Sequence, residues 1–308
     1  MSESASSPKA RGAAGWRAEG ERSYLWVIKL MVALSLGLGR RLSRVVVHGI
    51  ALYFVCFAPR ARQASRVYLA RALGRPPRWR DVYAHVLCFA STIHDRVYWL
   101  RGEQGCFSVQ IEGQEHVQAA RGASGRGIVF VGAHMGSFEA LRVLSQDDDL
   151  RVRMLMYPDN ANKLNAVLGA INPALLGSII ALGRPQALLQ VRDALAEGVC
   201  VGVLADRQLA DGGGTRLPFL GADAPWPDGP WRMAAMLKAP VVFMAGLYLG
   251  DNRYRVCFLP LADFSQLETA GREAALRAAQ ARYVHILEAL CREAPYNWFN
   301  FHDIWRAS

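Results

Sequence analysis

The sequence predicts an α/β fold: a largely parallel central sheet flanked by helices, with an N-terminal helical membrane-anchoring segment. Three observations carry this expectation. From residue 106 onward, short β-branched runs alternate with stretches of helical periodicity, the pattern of a parallel sheet with crossover helices. Runs such as IVFVGA and VCVGVLA are apolar throughout, which suits strands buried on both faces. Ahead of them lie two apolar runs bordered by arginines.

The chain divides accordingly. Residues 1–22 are rich in Ser, Ala, Gly and charge and read as a disordered tail. Residues 23–60 form an apolar, membrane-associated helical segment. Its two runs, YLWVIKLMVALSLGLG and VVVHGIALYFVCFAP, each fall short of the ~20 residues a spanning helix needs. Arginines flank both ends, giving no single-span orientation and favouring an anchor at one membrane face. One long tilted span and buried core helices are the competing readings. Residues 61–308 form the remaining domain, with a helical lead-in over 61–102 and an α/β core over 106–308. The lead-in reads as two helices separated by Gly74-Arg75-Pro76-Pro77, and His85 and His94 are taken as packing or surface histidines.

In the core, FSVQIEG alternates as a strand and EHVQAARGASGRG reads as a short helix and turn. IVFVGA, RVRMLMY, SIIALG, VCVGVLA, PVVFMAGLYLG and YRVCFLPL are further strands. Residues 161–177, PQALLQVRDALAEG, WRMAAMLKA and EAALRAAQARYVHILEALCREA are helical, and residues 208–230 read as a long loop rich in Gly and Pro. With 52% hydrophobic and 20% charged residues, the chain can bury a sizeable core.

The formal charge of +10 is unevenly placed. Residues 1–100 hold 16 Lys or Arg against 5 Asp or Glu, whereas the remainder is nearly neutral. Basic charge beside apolar segments points to an anionic membrane surface. No zinc-finger, RNP or helix-turn-helix pattern supports nucleic acid. The six cysteines are scattered without CxxC or zinc spacing, and read as free thiols.

The stretch GIVFVGAHMGSFEALRVL, residues 127–144, organises the chemistry. A buried strand ends in a small-residue turn that carries His134, and Glu139 follows five positions on. Histidine titrates near neutral pH and can take a proton from a hydroxyl. A carboxylate on its other nitrogen would fix the tautomer and stabilise the imidazolium. If His134 precedes a first helical turn, Glu139 can reach back to it. Gly136 would let the backbone bend closely, and Ser137 could cap the helix N-terminus near an anion. No serine or cysteine nucleophile is required. Ser124 lacks the second glycine of a nucleophile elbow, and Ser137 with His134 stands as a minor hydrolase alternative. A core histidine beside a surface glutamate is the plain structural alternative.

Asp206 and Arg207 follow VCVGVLA directly. Arg207 could bind a phosphate of the acceptor or of the donor, and Arg184, after another short strand, is a weaker candidate for the same task. Trp226, Trp231, Trp298, Phe299, Phe301 and Trp305 either pack the core or line an acyl-chain groove. Acyl transfer to a hydroxyl, with His134 as base, is the expected chemistry; a lipid esterase or thioesterase using water, and a non-catalytic lipid-binding protein, are the alternatives.

GAHMGSFE resembles the H-x4-D/E motif of the lysophospholipid acyltransferase superfamily. It is most similar to the bacterial lipid A biosynthesis lauroyl/myristoyl acyltransferase family. MYPDNAN at 156–162, LADRQ at 204–208, LPFLG at 217–221 and the closing PYNWFNFHDIW extend the likeness. NWFNFHDIW is more similar to homologues that accompany aryl-polyene-type lipid pathways. The resemblance implies an acyl carrier protein thioester as donor and a hydroxyl of a lipid or glycolipid as acceptor. It implies work at the cytoplasmic face of the inner membrane, with His134 as base, Glu139 as its partner, and Asp206 and Arg207 near the site; Arg184, Gly136 and Ser137 are the further substrate-binding candidates read from the residues themselves. No metal or resident cofactor is expected, because 4'-phosphopantetheine arrives on the carrier protein.

Overall fold

The computed structural model describes residues 37, 39–122, 125–143, 150–157, 172, 177–183, 186–208 and 214–306. Seven strands form one sheet: β1 (Ser108–Glu112), β2 (Val129–Gly132), β3 (Val152–Met156), β4 (Ile179–Ala181), β5 (Cys200–Leu204), β8 (Pro240–Tyr248) and β9 (Arg253–Asp263). Their order is β1-β9-β8-β2-β5-β3-β4. The run from β8 to β4 is parallel throughout, β9 returns antiparallel to β8, and β1 pairs parallel to β9. The expected largely parallel α/β sheet is therefore present, with its two-strand β1-β9 edge running the opposite way.

Alternation along β2 shows why its sequence is apolar at every position. Val129 and Val131 belong to one core cluster, with Tyr68, Leu195, Trp231 and Tyr283. Ile128 and Phe130 belong to the other, with Trp99, Val117 and Phe258. Successive side chains point to opposite faces, so a strand covered on both sides needs an apolar residue at each step. The covering helices include α2 (Pro59–Leu73), α3 (Trp79–Leu100), α4 (Gln114–Arg121), α5 (Ala187–Ala196), α6 (Gly229–Met236) and α7 (Arg272–Glu293).

The lead-in helices form as the sequence indicates. Pro59 opens α2, and Gly74 ends it in the left-handed conformation at φ 64°. Asp81 accepts from the Arg78 backbone N–H at the start of α3. His85 and His94 both pack inside: His85 bonds Ser65 and the Trp298 carbonyl, and His94 bonds Ser43. Of the six cysteines, Cys88, Cys200, Cys257 and Cys291 are buried, and Cys56 and Cys106 are exposed; all are free thiols.

One expectation is revised. The stretch 208–230 is not simply a loop, because Gly214–Phe219 (β6) and Ala222–Pro227 (β7) pair as an antiparallel hairpin. Leu220 and Gly221 make its turn with φ of 50° and 83°, the double-positive geometry that suits a twisted hairpin. Pro218, Pro225 and Pro227 masked it in the sequence. A separate two-stranded ribbon tolerates prolines that a central strand excludes. In the N-terminal segment the described residues agree with the sequence that the second apolar run falls short of a spanning helix. Within it, α1 (Gly39–Phe57) meets α2 at a bend of 93°, and among the described residues no single helix is long and apolar enough to cross a membrane. The helical stretch expected over 161–177 lies almost wholly outside the described residues.

Candidate active site

The turn after β2 is shaped by close backbone approach. The Gly136 N–H bonds the Asn297 carbonyl at 2.9 Å, and the Ser137 N–H bonds the Gly246 carbonyl at 2.7 Å. Gly136 has φ +60°, and a Cβ there would sit 2.0 Å from the Gly246 oxygen. Only glycine fits this position. The bend expected at Gly136 is thus present, two residues after His134 and four after the end of β2. The C-terminal segment locks the same turn. The Phe299 N–H bonds the His134 carbonyl at 2.7 Å, and Met135 and Trp298 form an antiparallel bridge. The Asn297 side chain in turn bonds both the N–H and the carbonyl of Tyr248, the last residue of β8.

The partner of His134 comes from the neighbouring strand. Asp206 Oδ1 lies 2.8 Å from His134 Nδ1. Asp206 Oδ2 accepts from the His134 backbone N–H at 3.0 Å and from the Trp298 indole N–H at 2.9 Å. Sheet register explains the meeting. Gly132 of β2 sits opposite Leu204 of β5, and His134 and Asp206 each lie two residues further on. The His134 side chain is about one-third exposed (34%), whereas that of Asp206 is fully enclosed. Burial alone would push the Asp206 carboxyl up. The His134 imidazole, by charge and hydrogen bond, and then the Arg207 charge outweigh this and hold it well below the usual carboxylate range.

Glu139 does something else. The turn leads into a 3-10 helix, Phe138–Val143, rather than the α-helical turn that would have carried Glu139 back to His134. Its carboxylate is buried against α3, where Arg96 pairs with Oε1 at 2.5 Å, and Ser137 Oγ lies 3.5 Å from Oε2. The orienting bond to Nδ1, expected of Glu139, is made by Asp206 instead. The substrate-binding role expected of Asp206 is corrected with it, because both its oxygens are engaged inside the protein. Ser137 is buried with its hydroxyl toward Glu139, which does not support its pairing with His134 as a nucleophile.

Arg207 is exposed beside the pair and donates to the Phe299 carbonyl at 3.2 Å. Arg184 and Ser124 lie outside the described residues, as does most of MYPDNAN. Trp226, Trp231 and Trp298 are enclosed core residues, and Trp298 adds a role the sequence did not disclose, as a donor to Asp206. One signal for Asp206 was present in the sequence: His134 and Asp206 occupy the same place after two buried strands. Only the adjacency of those strands was hidden.

An imidazole held by an enclosed carboxylate, at the carboxyl end of a parallel sheet, is the equipment of a general base. The protein family of bacterial lipid A biosynthesis acyltransferases has a model that matches residues 21–307, and the chain belongs to that family. It is an enzyme that transfers acyl groups, with a lipid as acceptor. No curated protein sequence matches the chain significantly.

Proposed function

We propose that the protein is an O-acyltransferase that moves a fatty acyl group from an acyl carrier protein thioester to a hydroxyl of a lipid or glycolipid. It works at the cytoplasmic face of the inner membrane. The single observation that carries this reading is the His134–Asp206 pair at 2.8 Å. Asp206, held ionised, accepts a hydrogen bond from Nδ1–H and so leaves the Nε2 lone pair free to act as base. Nε2 takes the hydroxyl proton as the acceptor oxygen attacks the thioester carbonyl carbon. A tetrahedral oxyanion forms and then collapses. The carbon–sulfur bond breaks, the imidazolium returns its proton to the departing thiolate, and an ester and a free thiol result. Arg207, exposed beside the pair, is suited to a phosphate of the acceptor or of the donor's pantetheine arm. Glu139 and Arg96 form the wall next to the turn.

The test is acyl transfer from a loaded acyl carrier protein to membrane lipid, followed by mass spectrometry of the lipid product. His134→Ala is expected to lower the rate by about 10²–10⁴-fold. Retention of full transfer in that variant would overturn the reading. Release of free fatty acid with no acylated lipid would favour the esterase or thioesterase alternative. The mass of the product separates a lipid A precursor from an aryl-polyene-type or other glycolipid acceptor.

A further inference from the structure

Helix α1 carries two features that the acyl-transfer site does not use. One is an open pocket of about 500 Å³ lined by Arg40, Arg41, Arg44, His48, Asp251 and Asn252. The other is a row of exposed apolar side chains: Leu42 (62%), Val45 (70%), Leu52, Tyr53 and Phe57 (71%). At 100° per residue, these five fall within about 140° of the helix circumference, opposite the buried Val47, Ala51 and Val55. Arg41 and His48 sit at the edge of that stripe.

The three guanidiniums are not equally committed. Arg40 is a structural group: it pairs with Asp95 through two bonds of 2.9 and 3.1 Å and donates to the Asp251 carbonyl. Arg44 donates to the same carbonyl at 2.6 Å and to the Tyr248 hydroxyl at 3.2 Å, and its contact with the Asp251 carboxylate is a loose 3.4 Å. Arg41 is exposed and makes no ion pair among the described residues. The Asp251 side chain is itself 81% exposed, so it screens the pocket only weakly. His48 Nδ1 is tied at 2.8 Å to Tyr83, whose ring stacks on the exposed Trp79. A tryptophan at this level is the side chain favoured where lipid meets water.

We propose that this pocket binds the phosphate of an anionic membrane phospholipid, and that the apolar stripe of α1 lies in the acyl region beneath it. Charge complementarity selects the occupant: the excess of basic residues is confined to the first third of the chain, and that third supplies the three arginines and the histidine of the pocket, against the single exposed carboxylate of Asp251. Arg41 and His48, at the edge of the stripe, stand where headgroups meet an interfacial helix lying with its apolar face down, and Arg44 reaches the same pocket from the side of α1 that faces Tyr248. The inference rests on the membrane attachment proposed above, but not on which lipid is acylated.

The experiment uses the full chain without substrates. Sedimentation with vesicles of phosphatidylcholine is compared with sedimentation with an equal mixture of phosphatidylcholine and phosphatidylglycerol. Wild type should prefer the mixed vesicles, and soluble dihexanoyl-phosphatidylglycerol should titrate saturably by calorimetry. Arg41→Glu with Arg44→Glu should weaken binding to mixed vesicles at least roughly tenfold and abolish the calorimetric signal. Arg277→Glu with Arg282→Glu, the same charge change on exposed positions of α7, should do neither. Arg41→Gln with Arg44→Gln is scored by the same criteria should the double reversal fail to fold. Equal losses from the two double reversals would overturn the pocket in favour of diffuse attraction. Unchanged vesicle binding, with a raised KM for acyl carrier protein when the same variant is assayed for acyl transfer, would assign it to an acidic protein instead. In either case persistent binding to phosphatidylcholine would leave membrane attachment standing, whereas loss of all vesicle binding in wild type would remove both.

Discussion

At His134 the decisive question is which carboxylate holds Nδ1. Asp206 makes that bond at 2.8 Å, and Glu139 is paired with Arg96. Asp206→Asn should therefore cost about 10²–10⁴-fold in kcat, and Glu139→Gln distinctly less, with its effect mainly on stability through the lost Arg96 pair. A larger kcat loss in Glu139→Gln would return the orienting role to Glu139. His85 permits a second check. Burial pushes its imidazole down to about 4, against an ordinary value of 6.5. A histidine depressed in the folded state is fully compatible with folding above about pH 6.5. It destabilises progressively as pH falls toward 4, because the unfolded chain takes up the proton first. Urea midpoints should thus fall between pH 7 and pH 4.5. His85→Gln, which keeps an amide for Ser65 and the Trp298 carbonyl, should flatten that slope; an unaltered slope would place the titrating group elsewhere.

The elements around the site are held by backbone rather than by bulk. The β2 turn, the end of β8 and the segment 297–299 exchange hydrogen bonds at Gly136, Ser137, Gly246 and Asn297. Gly136→Ala would place a methyl group 2.0 Å from the Gly246 oxygen at a positive φ. The turn must open, at an expected cost of at least about 2 kcal/mol. A chemical denaturation midpoint within error of wild type would show that the turn has more room than the close approach implies. This level was partly legible. IVFVGA and VCVGVLA announce buried strands, and the glycine after His134 announces a bend. The hairpin at 214–227 was not legible, because its prolines are signals against a strand and only the pairing partner makes them harmless.

Across the whole molecule, the sheet brings the His134–Asp206 pair to its carboxyl end, and α1 brings its exposed apolar stripe. Val45 and Phe57 are 70% and 71% exposed, so replacing both with Asp should change unfolding free energy by no more than about 0.5 kcal/mol per site. The same variant should lose binding to phosphatidylcholine vesicles, measured by sedimentation. Undiminished binding would mean that the stripe does not face lipid. Sequence hydropathy identified the apolar segment. It could not divide α1 into a buried face, a lipid-ready face and a basic edge, because that division depends on what packs against Val47, Ala51 and Val55.

Local patterns determined much of this protein. Continuous apolar runs between helical periodicities called for a buried parallel sheet, since strands covered on both faces have no polar positions to spare. A histidine after the first of the central strands marked the candidate base, and the spacing of GAHMGSFE marked the family. Tertiary structure alone decided the carboxylate. Glu139 is five residues from His134 and Asp206 is seventy-two, yet proximity along the chain was the weaker guide. Parallel pairing of β2 with β5 puts two residues with the same offset side by side, and a 3-10 turn carries the nearer residue away. Strand order is set by long-range packing, which no local run of residues encodes.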